Sequence, residues 1–175
     1  KPINLTVYSN PKIGLGTTII HYIDLFSWMN DDYDVTLDGT LLNKLLPNKR
    51  GKDLVEFSGT VTGNLKNNAI FVISFLEHYS DNVIVKLSNN LDEFYIDETN
   101  QKMFHIKDNT CKLNKFTYEH ASSLTTNIAI DIIKNDYCKL PTILESYSLH
   151  LEIFRIFNTH INNILKRNIT LCPIT

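Results

Sequence analysis

The sequence predicts an α+β fold: an open, mainly antiparallel sheet of about five to seven strands, with helices packed on one face. Three observations predict it. From Leu54 to about His105, apolar residues recur at every second position between Asn/Asp-rich turns, the pattern of short strands in a meander. No helix-length segment interrupts that stretch, which excludes parallel crossovers within it. Helical periodicity flanks it, in Gly14 to Met29 before and in two segments after.

The elements follow in order. Ile3 to Tyr8 alternates and reads as a strand, ended by Asn10-Pro11. Thr17 or Thr18 is expected to cap the next helix with its hydroxyl. That helix runs to about Met29 and closes at Asn30-Asp31-Asp32. Tyr33 to Asp38 reads as a short strand and Thr40 to Leu46 as a short helical segment. Pro47 to Lys52 is a basic, breaker-rich turn: a solvated loop or, as the minority reading, a site for anions. In the next strand Val55, Phe57 and Val61 point one way. Glu56, Ser58, Thr60 and Thr62 point the other, and that open polar face is the candidate dimer surface. Strands at Ala69–Glu77, Val83–Leu87, Glu93–Asp97 and Lys102–Lys107 complete the sheet. A helix over Thr117 to Asn135 carries Ala121, Leu124, Ile128 and Ile132 as its apolar stripe. Thr142-Ile143-Leu144-Glu145 has capping-box spacing and starts the last helix, expected to bury Tyr147, Leu151, Phe154, Ile161 and Leu165. The apolar tail Leu171 to Thr175 is expected to dock.

Composition narrows the class. The chain has 175 residues, 43% hydrophobic and 21% charged, which suits one packed domain. A net charge of -2 argues against a nucleic-acid footprint. Cys111, Cys138 and Cys172 are widely spaced and odd in number, so neither a zinc site nor a disulfide framework is expected, and a reducing cytoplasm is the default. No apolar run approaches 18 residues, so no membrane span is expected, and no signal peptide is seen. The chain begins at Lys1, so a fragment of something longer is the expectation.

One stretch organises the function. Gly14 to Met29 is a glycine-containing loop feeding a helix that is apolar on most sides. Thr17, His21 and Asp24 are spaced four and three apart, so they share one face, and Trp28 continues it. An imidazole and a carboxylate must be paired or face a wet cleft, since burial alone costs several kcal/mol. The stripe therefore reads either as a satisfied core pair or as a ligand-facing site. Tyr22, beside His21, and Trp28 are further ligand-contacting candidates. Of the other histidines, His78, His105, His120, His150 and His160, positions 120 and 150 are slightly favoured because they sit on helix faces. Asp92-Glu93 and Asp97-Glu98 read as hairpin-end charges. Gly14-Leu15-Gly16 is no dinucleotide fingerprint, because position 19 is Ile and no βαβ unit surrounds it. HExxH, CxxC, a nucleotide P-loop and a GxSxG elbow are absent, and no nucleophile stands out for a hydrolase.

The pattern Gly14-x-Gly16-x4-His21-x2-Asp24-Leu25-Phe26, followed by Glu56-Phe57-Ser58-Gly59-Thr60, resembles the C-terminal half of the Gfo/Idh/MocA oxidoreductases. Leu124-Thr125, Cys138-x-Leu140-Pro141 to Glu145-Ser146, His150 and the Cys172-Pro173-Ile174-Thr175 end resemble one subgroup. The resemblance implies NAD(P)-dependent dehydrogenases of sugars, nucleotide sugars or cyclitols, with a Rossmann half for the nucleotide and a second half that closes the substrate cleft and forms oligomers through its sheet. It makes His21 the proton-handling group, Asp24 the acid that orients or charge-stabilises it, and Thr17 a substrate contact. Two departures accompany it. Thr17 stands where many members have Asp, and Lys1-Pro2 is a poor stand-in for the Glu-Lys-Pro lysine. The chain is thus expected to be a single domain spanning 1–175. It has no cofactor of its own and is inactive alone. NAD or NADP is implied only for the full-length protein, and a homodimer through the sheet is expected. The alternative is a non-catalytic binding or scaffold domain that kept the fold.

Overall fold

A computed structural model describes residues 1–119, 121–138 and 140–174, with the side chains of residues 121 and 122 not included. His120, favoured above, and Thr175 at the chain end lie outside the described residues, as does the Ala121 side chain of the expected helical stripe.

Among the described residues nine strands form one sheet: β1 (Asn4–Ser9), β2 (Val35–Asp38), β3 (Leu42–Pro47), β4 (Val55–Leu65), β5 (Ile70–Phe75), β6 (Ile84–Ser88), β7 (Asp92–Asp97), β8 (Lys102–Lys107) and β9 (Thr110–Lys115). Three α-helices accompany them among the described residues: α1 (Leu15–Asn30), α2 (Ala121–Asn135) and α3 (Ile143–Leu165). The α+β class and the open, mainly antiparallel sheet are as expected. The order is β2-β4-β5-β1-β6-β7-β8-β9, with β3 also pairing β4. The arrangement is therefore no plain meander. β1 lies between β5, which it pairs in parallel, and β6, which it pairs antiparallel.

The Thr40–Leu46 segment is a correction: most of it is strand β3, not helix. Its Leu42, Leu45 and Leu46 fit helix spacing on paper, but the free edge of β4 claims the backbone. β9 is the other strand the sequence reading lacks. Its burial is low throughout, so no alternation marked it.

The core sits between the sheet and the α1/α3 layer. Leu5, Val7, Phe57, Val61, Phe71, Ile73 and Phe75 face Leu15, Ile19, Ile23 and Phe26 of α1 and Leu149, Ile153 and Phe157 of α3. Phe57 stacks on Phe157 with ring centroids 4.1 Å apart. The last helix is correctly started: Thr142 Oγ1 accepts from the Glu145 N–H, and the Glu145 carboxylate accepts from the Thr142 N–H. Its buried face is corrected in part: Ile161 is buried and Phe154 half-buried against the core, as expected. Leu149, Ile153, Ile156, Phe157 and Ile161 are buried, whereas Tyr147, Leu151 and Leu165 are exposed. The helix is apolar over a wide arc, so periodicity alone did not choose the seam. The tail docks through Pro173, whose carbonyl accepts from the Val55 N–H at 2.8 Å.

Gly59 holds a backbone conformation in β4 that a side chain would strain. Its φ is +126°, and an added Cβ would stand 2.6 Å from the Leu41 carbonyl oxygen. The β3 register shifts beside it, between Leu42 and Lys44. Gly59→Ala is expected to lower unfolding free energy by about 1–3 kcal/mol from the backbone strain alone, read as a lower urea midpoint at unchanged slope.

Candidate functional site

The helix carrying the site is held at its start by a carboxylate from the sheet. Gly14 is the N-cap, with φ +97° and no side chain to offer. Thr17 and Thr18 do not cap, which corrects the expectation: both hydroxyls donate back to the Gly14 carbonyl, at 3.2 and 2.6 Å. The helix starts at Leu15, so both threonines already lie inside its first turn. Glu56 supplies the cap from β4, its Oε2 accepting from the Gly16 N–H at 2.6 Å. A negative group there also meets the positive end of the helix dipole.

That contact corrects a second expectation. Glu56 is only 8% exposed and Ser58 2%, so neither lies on an open polar face. Thr60 is half-buried, its hydroxyl 2.7 Å from that of Ser74. Burial pushes the Glu56 carboxyl above its ordinary value, against the N–H groups that pull it down. An acid raised on folding binds its proton more tightly in the native state. Stability is therefore free of this cost below the ordinary value of 4.5 and falls as pH rises from there through the raised value. Glu56→Ala is expected to cost about 1–2 kcal/mol as a lost cap. Glu56→Gln keeps the acceptor, and wild type should lose stability relative to it as pH rises above 4.5 in thermal melts.

The sequence-derived residues divide over α1. His21 and Trp28 are exposed, while Thr17, Tyr22 and Asp24 are half-buried. None lies in dry packing. Asp24 is joined to α3, not to His21: Ser146 Oγ donates to its carboxylate at 3.1 and 3.3 Å. His150, one turn on, donates Nδ1–H to the Ser146 carbonyl at 2.8 Å. Asp24, Ser146 and His150 thus form a polar seam across two helices, with His21 exposed one turn before Asp24 on α1. Tyr22 turns to the sheet, its hydroxyl donating to Glu98 at 3.0 Å. Burial first, and then the Glu98 charge, push that phenol up, and burial pushes Glu98 up as well. Glu98 is therefore more than a hairpin-end charge. Asp92 fits that description, sitting 2.7 Å from His105.

Thr17 lines a cavity of about 620 Å³, together with Asn10 to Gly14, Leu46 to Arg50, Glu56 and Glu77. His21 lies one helical turn beyond. Sequence reasoning missed Glu56 as a cap and Ser146 as the partner of Asp24. Both act across long sequence separations, 40 and 122 residues, that no local pattern signals. Among the described residues no three His, Cys, Asp or Glu side chains converge on a metal site, and no helix is long and apolar enough to cross a membrane. The Gly14–Gly16 loop offers no pyrophosphate cradle, because Glu56 takes its Gly16 N–H.

No family model and no curated protein matches the chain. Solved structures do. The chain superimposes on a Gfo/Idh/MocA family oxidoreductase from Vibrio cholerae with a TM-score of 0.54 at 10% identity, over 94% of this chain and 53% of that one. The fold is that of part of a Gfo/Idh/MocA-type oxidoreductase. UDP-N-acetylglucosamine 3-dehydrogenase GnnA from Acidithiobacillus ferrooxidans shares the oxidoreductase-type fold, with a TM-score of 0.59 at 10% identity over 86% of this chain and 50% of that one. So does the super-repressor mutant of Gal80p from Saccharomyces cerevisiae, at 0.58 and 12% over 92% and 56%. The chain spans about half the length of these relatives of the oxidoreductase-type fold.

Proposed function

We propose that this chain is the C-terminal, substrate-binding and dimerisation half of an NAD(P)-dependent oxidoreductase acting on a CH–OH group of a sugar, nucleotide sugar or cyclitol, in the cytoplasm. The observation that carries the reading is an accessible imidazole, His21, on a helix whose start is clamped by Glu56 and whose Asp24 is braced by Ser146. The fold shared with dehydrogenases supports it. NAD or NADP, bound to a Rossmann half, supplies the hydride acceptor. This chain's own part is to hold the alcohol against α1, with Thr17 as a hydrogen-bonding contact and Trp28 as an apolar one. His21 takes the hydroxyl proton as the carbonyl forms, and Asp24 is the acid one turn farther along the same helix face. Without the nucleotide-binding half no hydride acceptor is held, and the chain alone is inactive.

Two surfaces support the partners in this reading. Leu25, Trp28, Leu144, Tyr147 and Leu151 are exposed apolar residues on the helices that carry Asp24 and Ser146, where a second half would pack. On the sheet's open side, register places Tyr8, Lys86, Tyr95 and Phe104 on neighbouring strands, a mixed face suited to a second copy. The test is the coding sequence upstream of Lys1, followed by a screen of sugars and nucleotide sugars with NAD and NADP on the encoded protein. A Rossmann half with GxGxxG and a Glu-Lys-Pro lysine, plus turnover, is the expected result. A start codon immediately before Lys1 rejects the enzyme.

A non-catalytic binding or scaffold domain is the second reading. Thr17, in place of an acid one turn before His21, favours it, and so does the likeness to Gal80p. Tight sugar binding without turnover in the same screen would select it.

A further inference from the structure

We propose that the cavity beside Thr17 is an anion subsite, taking the phosphate or diphosphate group of a phosphorylated sugar or nucleotide sugar. The inference rests on the reading above for the sugar end of the ligand and stands on its own for the anion.

The cavity is walled by the short 3-10 turn at Pro11–Ile13 on one side and the Pro47–Arg50 segment on the other. Three cations reach it from these two stretches, Lys12, Lys49 and Arg50. Lys49 Nζ donates to the Lys12 carbonyl at 3.3 Å, which ties the two stretches together across the opening. Asn48 Oδ1 accepts from the Arg50 N–H at 2.8 Å and fixes the turn that presents the guanidinium. Lys12 meets Asp81 only at 3.5 Å, with both side chains well exposed. The Arg50 guanidinium has no acidic partner among the described residues.

The two carboxylates that line the cavity are already committed. Glu77 pairs with Lys44 at 3.0 Å. Glu56 is turned onto the Gly16 N–H, with the Asn48 amide 3.5 Å from its other oxygen. What remains for a ligand is a cationic rim over a partly apolar wall of Ile13, Leu46 and Pro47. Arg and Lys bind phosphate oxygens by charge-assisted hydrogen bonds, and Arg does so in bidentate fashion. The volume, about 620 Å³, suits a whole small molecule and exceeds the need of a lone ion. Thr17 lies inside the cavity and His21 one turn, about 5.4 Å, farther along the same helix face. A ligand anchored at the rim thus extends its sugar toward the imidazole. The basic turn at Pro47 to Lys52 acquires a task in this way.

The experiment titrates this chain with inorganic pyrophosphate, uridine diphosphate and glucose 6-phosphate by calorimetry, with glucose as the neutral control. The variants are Lys49→Ala/Arg50→Ala at the rim and Lys112→Ala/Lys115→Ala on the exposed β9, all checked for native circular dichroism. Saturable binding of at least one phosphorylated probe is expected, weakened tenfold or more by the rim pair and within twofold of wild type in the β9 pair. Uridine diphosphate binding more tightly than pyrophosphate identifies a nucleotide sugar; glucose 6-phosphate binding most tightly identifies a sugar monophosphate. No saturable binding overturns the subsite, as does equal weakening by both pairs. Turnover of neutral sugars by the full-length enzyme, without anion binding, leaves the oxidoreductase reading standing and removes only the subsite. Anion binding without turnover of any alcohol does the reverse.

Discussion

Replacing His21 by alanine in a protein that carries both halves lowers kcat by about a hundredfold or more, the usual share of a positioned general base. The side chains around it offer no substitute. Asp24 is held by Ser146, and Thr17 donates its hydroxyl to the Gly14 carbonyl. His21 is exposed, so the substitution should move thermal stability by no more than about 0.5 kcal/mol. Activity and folding are thus read separately. Steady-state kinetics on the best substrate from the screen decides it: kcat equal to wild type removes His21 from the chemistry.

The largest effect on stability is expected for Phe57→Ala, about 3–5 kcal/mol. Phe57 is fully buried and stacks face to face on Phe157, so truncation empties the contact between β4 and α3. It also lies beside Gly16: a Cβ built on that glycine would stand 3.2 Å from the Phe57 ring and 3.0 Å from a Glu56 oxygen. The cavity therefore opens under the first turn of α1, next to the cap that aims the site. Urea unfolding gives the magnitude. A loss under 1 kcal/mol would mean that the site collapses onto the gap.

How much of this was legible beforehand follows from the range of each interaction. The strands β4 and β6 to β8 announced themselves through alternation, β5 as a strand apolar on both faces, and α3 announced its start through Thr142 and Glu145, three residues apart. The polar stripe on α1 was equally local. Long-range partners left no such trace. Glu56 looked like one more outward polar residue in an alternating strand until the fold brought Gly16 to it. The seam of α3 went wrong for a related reason: Tyr147 and Leu151 are apolar enough to be core, and only the packing of β2 and α1 selected Leu149 and Ile153. β3 became a strand because β4 had an edge to fill. In each case tertiary contact outweighed the local signal.

The position of β1 has a kinetic consequence. Asn4–Ser9 precedes both of its sheet neighbours by a long stretch of chain; Asn4 Oδ1 accepts from the Ile70 N–H, 66 residues away. Until β5 and β6 have emerged, this segment has neither neighbour, and loop closure must be met before any pairing rewards it. Folding should accordingly be slow for a chain of this size, and trimming the first nine residues should leave two half-sheets with bare edges, prone to associate with one another's strands.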